Sequence, residues 1–458
     1  LTSILIYTNL KNLREQFRKY LERCGVIDAL SKALIKLYEE THKPDDAVRY
    51  VRKYMCESCP DDEQFDILKS DLKMASKTIQ DLEEELERYK GNLKRTASEV
   101  ALLLEEGLRK LEEDEDCKSL LKKYLTKDIF DELALAKTPS GATLLDVIQS
   151  GLECHGAPIG AFAADKESYD VFKQLLEPMI LDYHKQEGEE TSEGLNLQGA
   201  LDWGDVESVK DLDPDGKFIT STRIRVSRNV DGFSFFSKIM EDELKDLEQK
   251  VKKITKKIRY YQGEHKGKYY TLRDIDLDVQ AKMINRKILF KKGDPILAAA
   301  GTYRFWPTGR GVFHNPAETF IVWVNTEDHL KIISMGKCGD LGDIYSRLVA
   351  GAKKIEENLQ FQHLSNYGFV TSSLANLGTA LHASVIIKLP LLARDMGKLE
   401  EKCDRLNLKM KTIDESKTAE GTFEISNKRC LGLSEYEAVK DLQDGILELI
   451  KAEEDLTP

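Results

Sequence analysis

In Ser221-Thr222-Arg223-Ile224-Arg225-Val226, two arginines stand two residues apart. If this stretch is a strand, Arg223 and Arg225 share one face at a spacing of roughly 7 Å, while Thr222, Ile224 and Val226 face inward. Two guanidiniums side by side require an anion, unless they are simply solvated or bridged by a carboxylate. Downstream, Phe320 to Asn325 reads as a strand closing on Thr326-Glu327-Asp328. That puts carboxylates at a sheet end, where substrates often sit and where acids are also often merely solvated. Arg304-Phe305-Trp306-Pro307-Thr308-Gly309-Arg310-Gly311 is a turn with two more arginines, suited to a polyanion or to nothing beyond shaping a loop. Asn376-Leu377-Gly378-Thr379 could offer backbone N–H groups to an anion.

Elements that would position these residues are legible from periodicity. After Gly194, KFITSTRIRV, ETFIVWVN and ASVIIKL alternate or run apolar as strands do, separated by turns and by helices such as EDELKDLEQKVKKI. Dispersed strands with helices between them predict an α+β domain with an antiparallel or mixed sheet. No Walker loop or G-x-G-x-x-G fingerprint is present, so a bound nucleotide would be held another way. From about Ser98 to Tyr183 the pattern is helical throughout.

The first hundred residues are different in kind. Leu13, Phe17 and Leu21, then Leu30, Leu34 and Leu37, then Val48, Val51 and Met55 form three short apolar stripes at helical spacing. Gly25 and Lys43-Pro44 punctuate them. They are too small to bury their faces alone, so a partner or a dimer is expected. Phe65, Leu68, Leu72, Ala75, Ile79, Leu82, Leu86, Tyr89 and Leu93 then alternate steps of three and four, a heptad seam that predicts a coiled coil or a helix packed on its own domain. The expected organisation is a helical docking module over 1–60, a coiled-coil helix over 61–95, a small all-α domain over 97–205 and an α/β domain over 206–458.

Composition narrows the function classes. The 458 residues carry 80 acidic and 68 basic side chains, a formal charge of −12. So acidic a chain has no global attraction for phosphate polymers, which argues against nucleic acid as the main partner and for a local focus of basic residues at any anion site. With 41% hydrophobic and 32% charged residues, there is apolar material for packed cores. No apolar run approaches the roughly 20 residues of a membrane helix, so no membrane partner is expected. Eight scattered cysteines fit a reducing, cytoplasmic compartment. The tight pair Cys56 and Cys59 has no second pair and no nearby H-x-x-x-H, so two ordinary thiols at a helix end explain it better than zinc or redox use does.

DCKSLLKKYLTKDIF, GATLLDVIQSG, STRIR, WPTGRG, VWVN followed by EDHL, NLGT, ASV with KLP, and ISNKR occur in order between about 97 and 458. Across that span the chain resembles the phosphagen kinases, their arginine kinase branch most of all. The resemblance implies a small helical domain followed by a larger antiparallel-sheet domain. It also implies reversible transfer of the ATP γ-phosphoryl group to a guanidine with Mg²⁺. Such transfer asks a protein mainly for alignment and positive charge. By the resemblance, five arginines cage the phosphates: Arg223 and Arg225 match two of them, while the others fall on Lys331, His382 and Lys411. Lysine lacks the planar fork of arginine, and histidine, with a reference pKa near 6.5, is mostly neutral at pH 7.

The resemblance places the guanidine end at Glu327, a retained carboxylate, and at Ser373, which stands where the family has a reactive cysteine. Glu415 is the nearest counterpart of a second substrate glutamate, and Phe162, behind Ala157-Pro158-Ile159, falls on a specificity-loop tyrosine. His314 and Trp323 match adenine-side positions, while Ile386 replaces a second histidine there. MgATP binding is therefore expected to be weakened.

Residues 11–95, from REQFRKYLERCGVIDALSKALIKLYEE through the heptad helix, resemble the c-Myc-binding protein family. Proteins of that kind are similar to small helical modules that dimerise and grip an amphipathic helix of an anchoring protein, and they occur in cilia. That implies a groove at Leu30, Leu34 and Leu37, axonemal protein partners, and a homo- or hetero-dimer. Two functions are expected from the whole: a degenerate, structural member of the kinase fold, or an active phosphotransferase tethered where ATP is spent. A transcriptional role rests on association alone.

Overall fold

The computed structural model describes residues 17–44, 46–55, 62–92, 95–185, 201–260, 266–413 and 420–456. Cys56, Cys59 and Glu415 lie outside these. The chain divides into two compact units, Leu1–Glu83 and Glu84–Pro458.

In the first unit, α1 (Val26–Glu39) packs on α2 (Ala47–Met55). Gly25, with φ 73°, turns the chain into α1, a conformation that favours glycine. Ala33 is the one fully buried residue of α1, while Leu30 and Leu34 are 40% and 49% exposed. The helix α3 (Asp62–Asn92) runs through the heptad repeat across the division between the units. Its Leu68, Leu72, Ile79, Leu82 and Leu86 are all more than half exposed. Five large apolar side chains at a/d spacing are thus left in water.

The second unit begins with helices α4 (Ala97–Glu113), α5 (Leu144–Glu153) and α6 (Lys173–His184). Thr96 and Glu99 form a capping box that starts α4, and Thr143 with Asp146 does the same for α5. Leu104, Leu145, Ile148, Phe172 and Met179 make a shared core to which Val370, Leu374 and Leu377 also belong. Segment 370–377 is therefore fixed from the helical side.

Eight antiparallel strands form the main sheet: β1 (Ile219–Arg228), β2 (Lys268–Thr271), β3 (Gly311–His314), β4 (Phe320–Val324), β5 (Leu330–Gly336), β8 (Leu381–Lys388), β9 (Leu408–Thr412) and β10 (Thr422–Asn427). Their spatial order is β2-β3-β4-β5-β1-β8-β10-β9, and β6 (His363–Leu364) with β7 (Gly368–Phe369) is a separate hairpin. One face of the sheet is dry. There Ile224, Val226, Val322, Ile332, Ala383, Val385 and Ile425 meet α7 (Glu241–Tyr260), α8 (Leu341–Glu356) and α9 (Glu435–Asp455) through residues such as Leu247, Ile344, Leu348, Leu442 and Ile446. Because side chains alternate along a strand, the intervening residues all emerge on the opposite face. At its β2–β5 end that face is closed by Leu272, Met283, Ile288 and Phe290 over Val312, Ile321 and Ile333. The remainder is open.

Candidate functional site

Alternation along β1 does what the sequence predicts: Thr222, Ile224 and Val226 are buried, and Arg223 and Arg225 stand half-buried on the open face. Register brings their neighbours in. Arg225 pairs with Ile333 on β5 and His382 on β8; Arg223 pairs with Met335 and Ser384. Lys331 lies two residues along β5 from Ile333, and its other neighbours are Ser227 and Trp323. A single face therefore collects Trp323, Lys331, Arg225, Arg223 and His382 from four strands.

The Arg223 guanidinium lies 5.4 Å from the centre of the Trp323 ring, a cation–π contact. Its Nε and Nη2 are buried and meet no acceptor. Burial, with Arg225 adding repulsion and Glu424 opposing, pushes Arg223 down to about 10. A half-buried cation whose buried Nε and Nη2 meet no acceptor fits an anionic ligand, so the residues present suit a phosphate of a nucleotide at this point.

His382 is less suited. Nε2 donates to Asn376 Oδ1 at 2.8 Å, and burial, reinforced by Arg225, Lys331 and Lys409, lowers the ring to about 3. It is neutral at any physiological pH, and its one N–H is already used. The reach of Lys409 to this ring is informative. In the row Arg223, Ser384, Ser426, Lys409, the lysine faces the same side as the arginine, whereas Lys411 lies one pleat away in the row Ser221, Ile386, Glu424. Lys411 therefore stands directly across from a carboxylate. Sequence reasoning missed Lys409, although its i−2 spacing from Lys411 on a strand was the available signal.

At the end of β4, Asn325 takes φ 58° and donates to Gly309 O at 2.6 Å and Leu244 O at 3.2 Å, turning the chain so that Glu327 projects toward the open face. Lys331 Nζ donates to Glu327 Oε2 at 3.2 Å, with the two side chains 10% and 22% exposed. Asp328 points the other way. Its Oδ1 accepts from Asn229 Nδ2 at 2.8 Å and from the Ser372 N–H at 3.2 Å. Complete burial, with Glu327 adding repulsion, raises its carboxyl to about 6. His329 is buried too and lowered to about 4, with Nδ1 accepting from Val230 N–H and Nε2 donating to Ser234 O.

Asp328 thereby ties the end of β4 to segment 371–373. Ser373 is 8% exposed, and its carbonyl accepts from Thr371 Oγ1 at 2.8 Å. It forms an isolated antiparallel bridge with Phe162. Two positions that the sequence assigns, by resemblance, to one end of the site are thus neighbours in space, although they stand 211 positions apart in the chain.

His314, at the end of β3, stacks on Tyr270 at 5.2 Å and 7°, and its Nδ1 donates to Asn315 O. Trp323 Nε1 donates to Ile288 O at 2.5 Å, fixing the ring under Arg223. The arginines of the Trp-Pro-Thr-Gly-Arg segment turn inward. Arg310 is fully buried, donating to Thr302 O at 2.6 Å and Thr308 O at 3.1 Å between the rings of Phe236 and Trp306. Arg304 donates to Ser237 O at 2.5 Å. Both shape the loop, so the polyanion alternative for that turn gives way. Gly378 takes φ 94°, and a Cβ there would meet Cys430 O at 2.2 Å. The Thr379 N–H that follows is bonded to the same carbonyl at 2.8 Å and offers nothing to an anion. Among the described residues, no group of three or more His, Cys, Asp or Glu is placed to hold a metal ion.

Comparison with known proteins places this geometry. Residues 246–456 match the family model of the ATP:guanido phosphotransferase C-terminal catalytic domain, and residues 115–181 match that of the N-terminal domain. Residues 11–92 match the c-Myc-binding protein model. The chain is 49% identical over 355 residues to arginine kinase Scy s 2 of Scylla serrata, covering 77% of this chain and 98% of that one. It is equally similar, 49% over 355 residues, to the arginine kinase of Carcinus maenas, with 77% and 97% covered. Among solved structures, the substrate-free duplicated taurocyamine kinase from Schistosoma mansoni is 34% identical with a TM-score of 0.71. That likeness covers 76% of this chain and about half, 49%, of the duplicated protein. Lombricine kinase is 29% identical with a TM-score of 0.66, covering 74% and 96%.

Proposed function

The chain belongs to the ATP:guanido phosphotransferase family, and from that premise we propose that it is a degenerate member, a structural or interaction component with little or no phosphotransfer. The observation that carries this reading is His382. Where the family resemblance implies an arginine, the chain has a ring held neutral by burial and by Arg225, with its N–H given to Asn376. Phosphoryl transfer spreads charge over the migrating group, and loss of one guanidinium can cost roughly 10³–10⁵ in rate. Lys331, bound to Glu327, is a point charge already engaged, and Lys411 faces Glu424. Ser373 cannot supply a thiolate.

MgATP, which the family uses, would still find the free N–H groups of Arg223 and the cations Arg225 and Lys409. We take its binding to be weakened. When bound, the metal–nucleotide supplies the transferable phosphoryl group; this chain's own part is to neutralise its oxygens.

The N-terminal region supports an interaction role. Half-exposed Leu30 and Leu34, with Leu37 beside them, form the docking groove for an amphipathic helix of an anchoring protein, and the exposed seam of α3 takes a partner helix. The ciliary axoneme is the proposed location.

A second reading keeps the enzyme: a tethered ATP:guanidino phosphotransferase that regenerates ATP locally. The acceptor-free Nε and Nη2 of Arg223, the retained Glu327 and 49% identity to crustacean arginine kinases favour it. A coupled assay with MgATP and a panel of guanidines separates the two. Turnover in the ordinary kinase range of ~1–100 s⁻¹ removes the first reading; rates below about 10⁻² of that range remove the second.

A further inference from the structure

We propose that the Lys331 ammonium is a tethered stand-in for the cation of a guanidine substrate, holding Glu327 occupied and setting this site against guanidinium ligands. The inference rests on the reading of Glu327 as the carboxylate that faces the guanidine.

Two carboxylates end β4, and only one of them is available to a cation from outside. Asp328 is fully buried, with Oδ1 committed to Asn229 and Ser372. Glu327 keeps 22% of its side chain exposed on the open face, and its Oε2 already receives Lys331 Nζ at 3.2 Å. An incoming guanidinium must displace that ammonium. The competitor is attached four residues away on the next strand, so its effective concentration is in the millimolar range or above and does not dilute.

The surroundings add to the barrier. Arg225 pairs with His382 on one side and with Ile333, two residues from Lys331, on the other, so the two cations share the neighbourhood of that half-buried ring, on which Lys409 also acts from β9. A guanidinium displacing Lys331 would leave that ammonium, 10% exposed, without its carboxylate among like charges. Lysine suits this role through its flexible stem and compact charge, which one carboxylate oxygen can satisfy.

The test is calorimetric titration of the full chain, as wild type and as Lys331→Met, Lys331→Gln and Lys331→Arg, with L-arginine and separately with ADP. Methionine matches the lysine stem without its charge, and glutamine gives a second neutral variant should one of them fold poorly. Expected is at least a tenfold gain in L-arginine affinity for both neutral variants, no gain for Lys331→Arg, and weaker ADP binding in the neutral pair. Opposite signs for the two ligands exclude general loosening. Neutral variants that bind L-arginine no better than wild type overturn the inference. Turnover by the wild-type chain would overturn the functional reading instead, so the two can fail separately.

Discussion

Arg228 at the end of β1 donates through Nη2 to Glu435 Oε1 at 2.8 Å, and both side chains are 1% exposed. The guanidinium also donates to Ser227 O and Thr379 O and lies 3.6 Å from the centre of the Phe369 ring. Burial pulls Arg228 down and pushes Glu435 up, with each partner only opposing that trend. Desolvation therefore outweighs pairing, and the pair specifies how α9 seats on the sheet more than it adds stability.

Removing one partner is accordingly worse than removing both. Glu435→Ala, which strands a buried guanidinium, is expected to lose about 3–5 kcal/mol in urea unfolding. The double variant Arg228→Met with Glu435→Leu should recover most of that loss. A single variant within about 1 kcal/mol of wild type would contradict this account.

Three titrating groups, Asp328 and His329 buried and His382 half-buried, make opposing contributions to acid stability. Asp328 rises from 3.8 to about 6 on folding, so the native state holds its proton more tightly and stability falls as pH rises through that window. The cost, fully present above pH 6, is on the order of 2–3 kcal/mol. His329 and His382 are lowered from 6.5 to about 4 and about 3, so the unfolded chain binds protons first and stability is lost as pH falls below about 6.5. Asp328→Asn keeps the Oδ1 acceptor and should stabilise the chain at pH 7 while leaving pH 4 unchanged. Thermal melts across pH 4 to 8 measure both slopes.

If Arg223 serves a ligand, as proposed above, its free N–H groups come at the expense of the fold. Arg223→Met removes a half-buried cation whose buried Nε and Nη2 have no acceptor, so the ligand-free chain should melt at the same temperature or a few degrees higher. The same variant should lose any rise in melting temperature that MgADP gives the wild type, because only a ligand bound to the native state raises it. A variant that melts lower and still responds to MgADP would contradict the assignment.

The seam of α3 should associate in solution. A chain of 52.1 kDa is expected to sediment at about twice that mass at micromolar concentration, and Ile79→Glu with Leu82→Glu should return it to one chain. Both residues are about 60% exposed, at 58% and 60%, so the substitutions cost the single chain little and only the assembly registers them.

Local periodicity explains why the fold was so readable. The inward set Thr222, Ile224 and Val226, the β8 strand at Leu381–Lys388, the helix at Glu241–Tyr260 and the exposed heptad all follow from spacings of two, three and four residues. The strand expected to reach Asn325 ends at Val324, because the Asn325 side chain is drawn to Gly309 and Leu244 from distant segments. The arginines of the Trp-Pro loop could be placed in a turn but not oriented.

What the sequence determined by itself is therefore most of the polar groups on one sheet face, Lys409 excepted, and the periodic elements that carry them. Tertiary structure alone decided what those groups are: Lys331 bound to Glu327, His382 neutral beside Asn376, Arg223 with free N–H groups, Arg310 buried in its own loop, and Lys409 in the Arg223 row. The reason is physical. Alternation is a property of neighbours along the chain, whereas the state of an ionisable side chain depends on how much water is left around it and on charges brought close from elsewhere in the sequence.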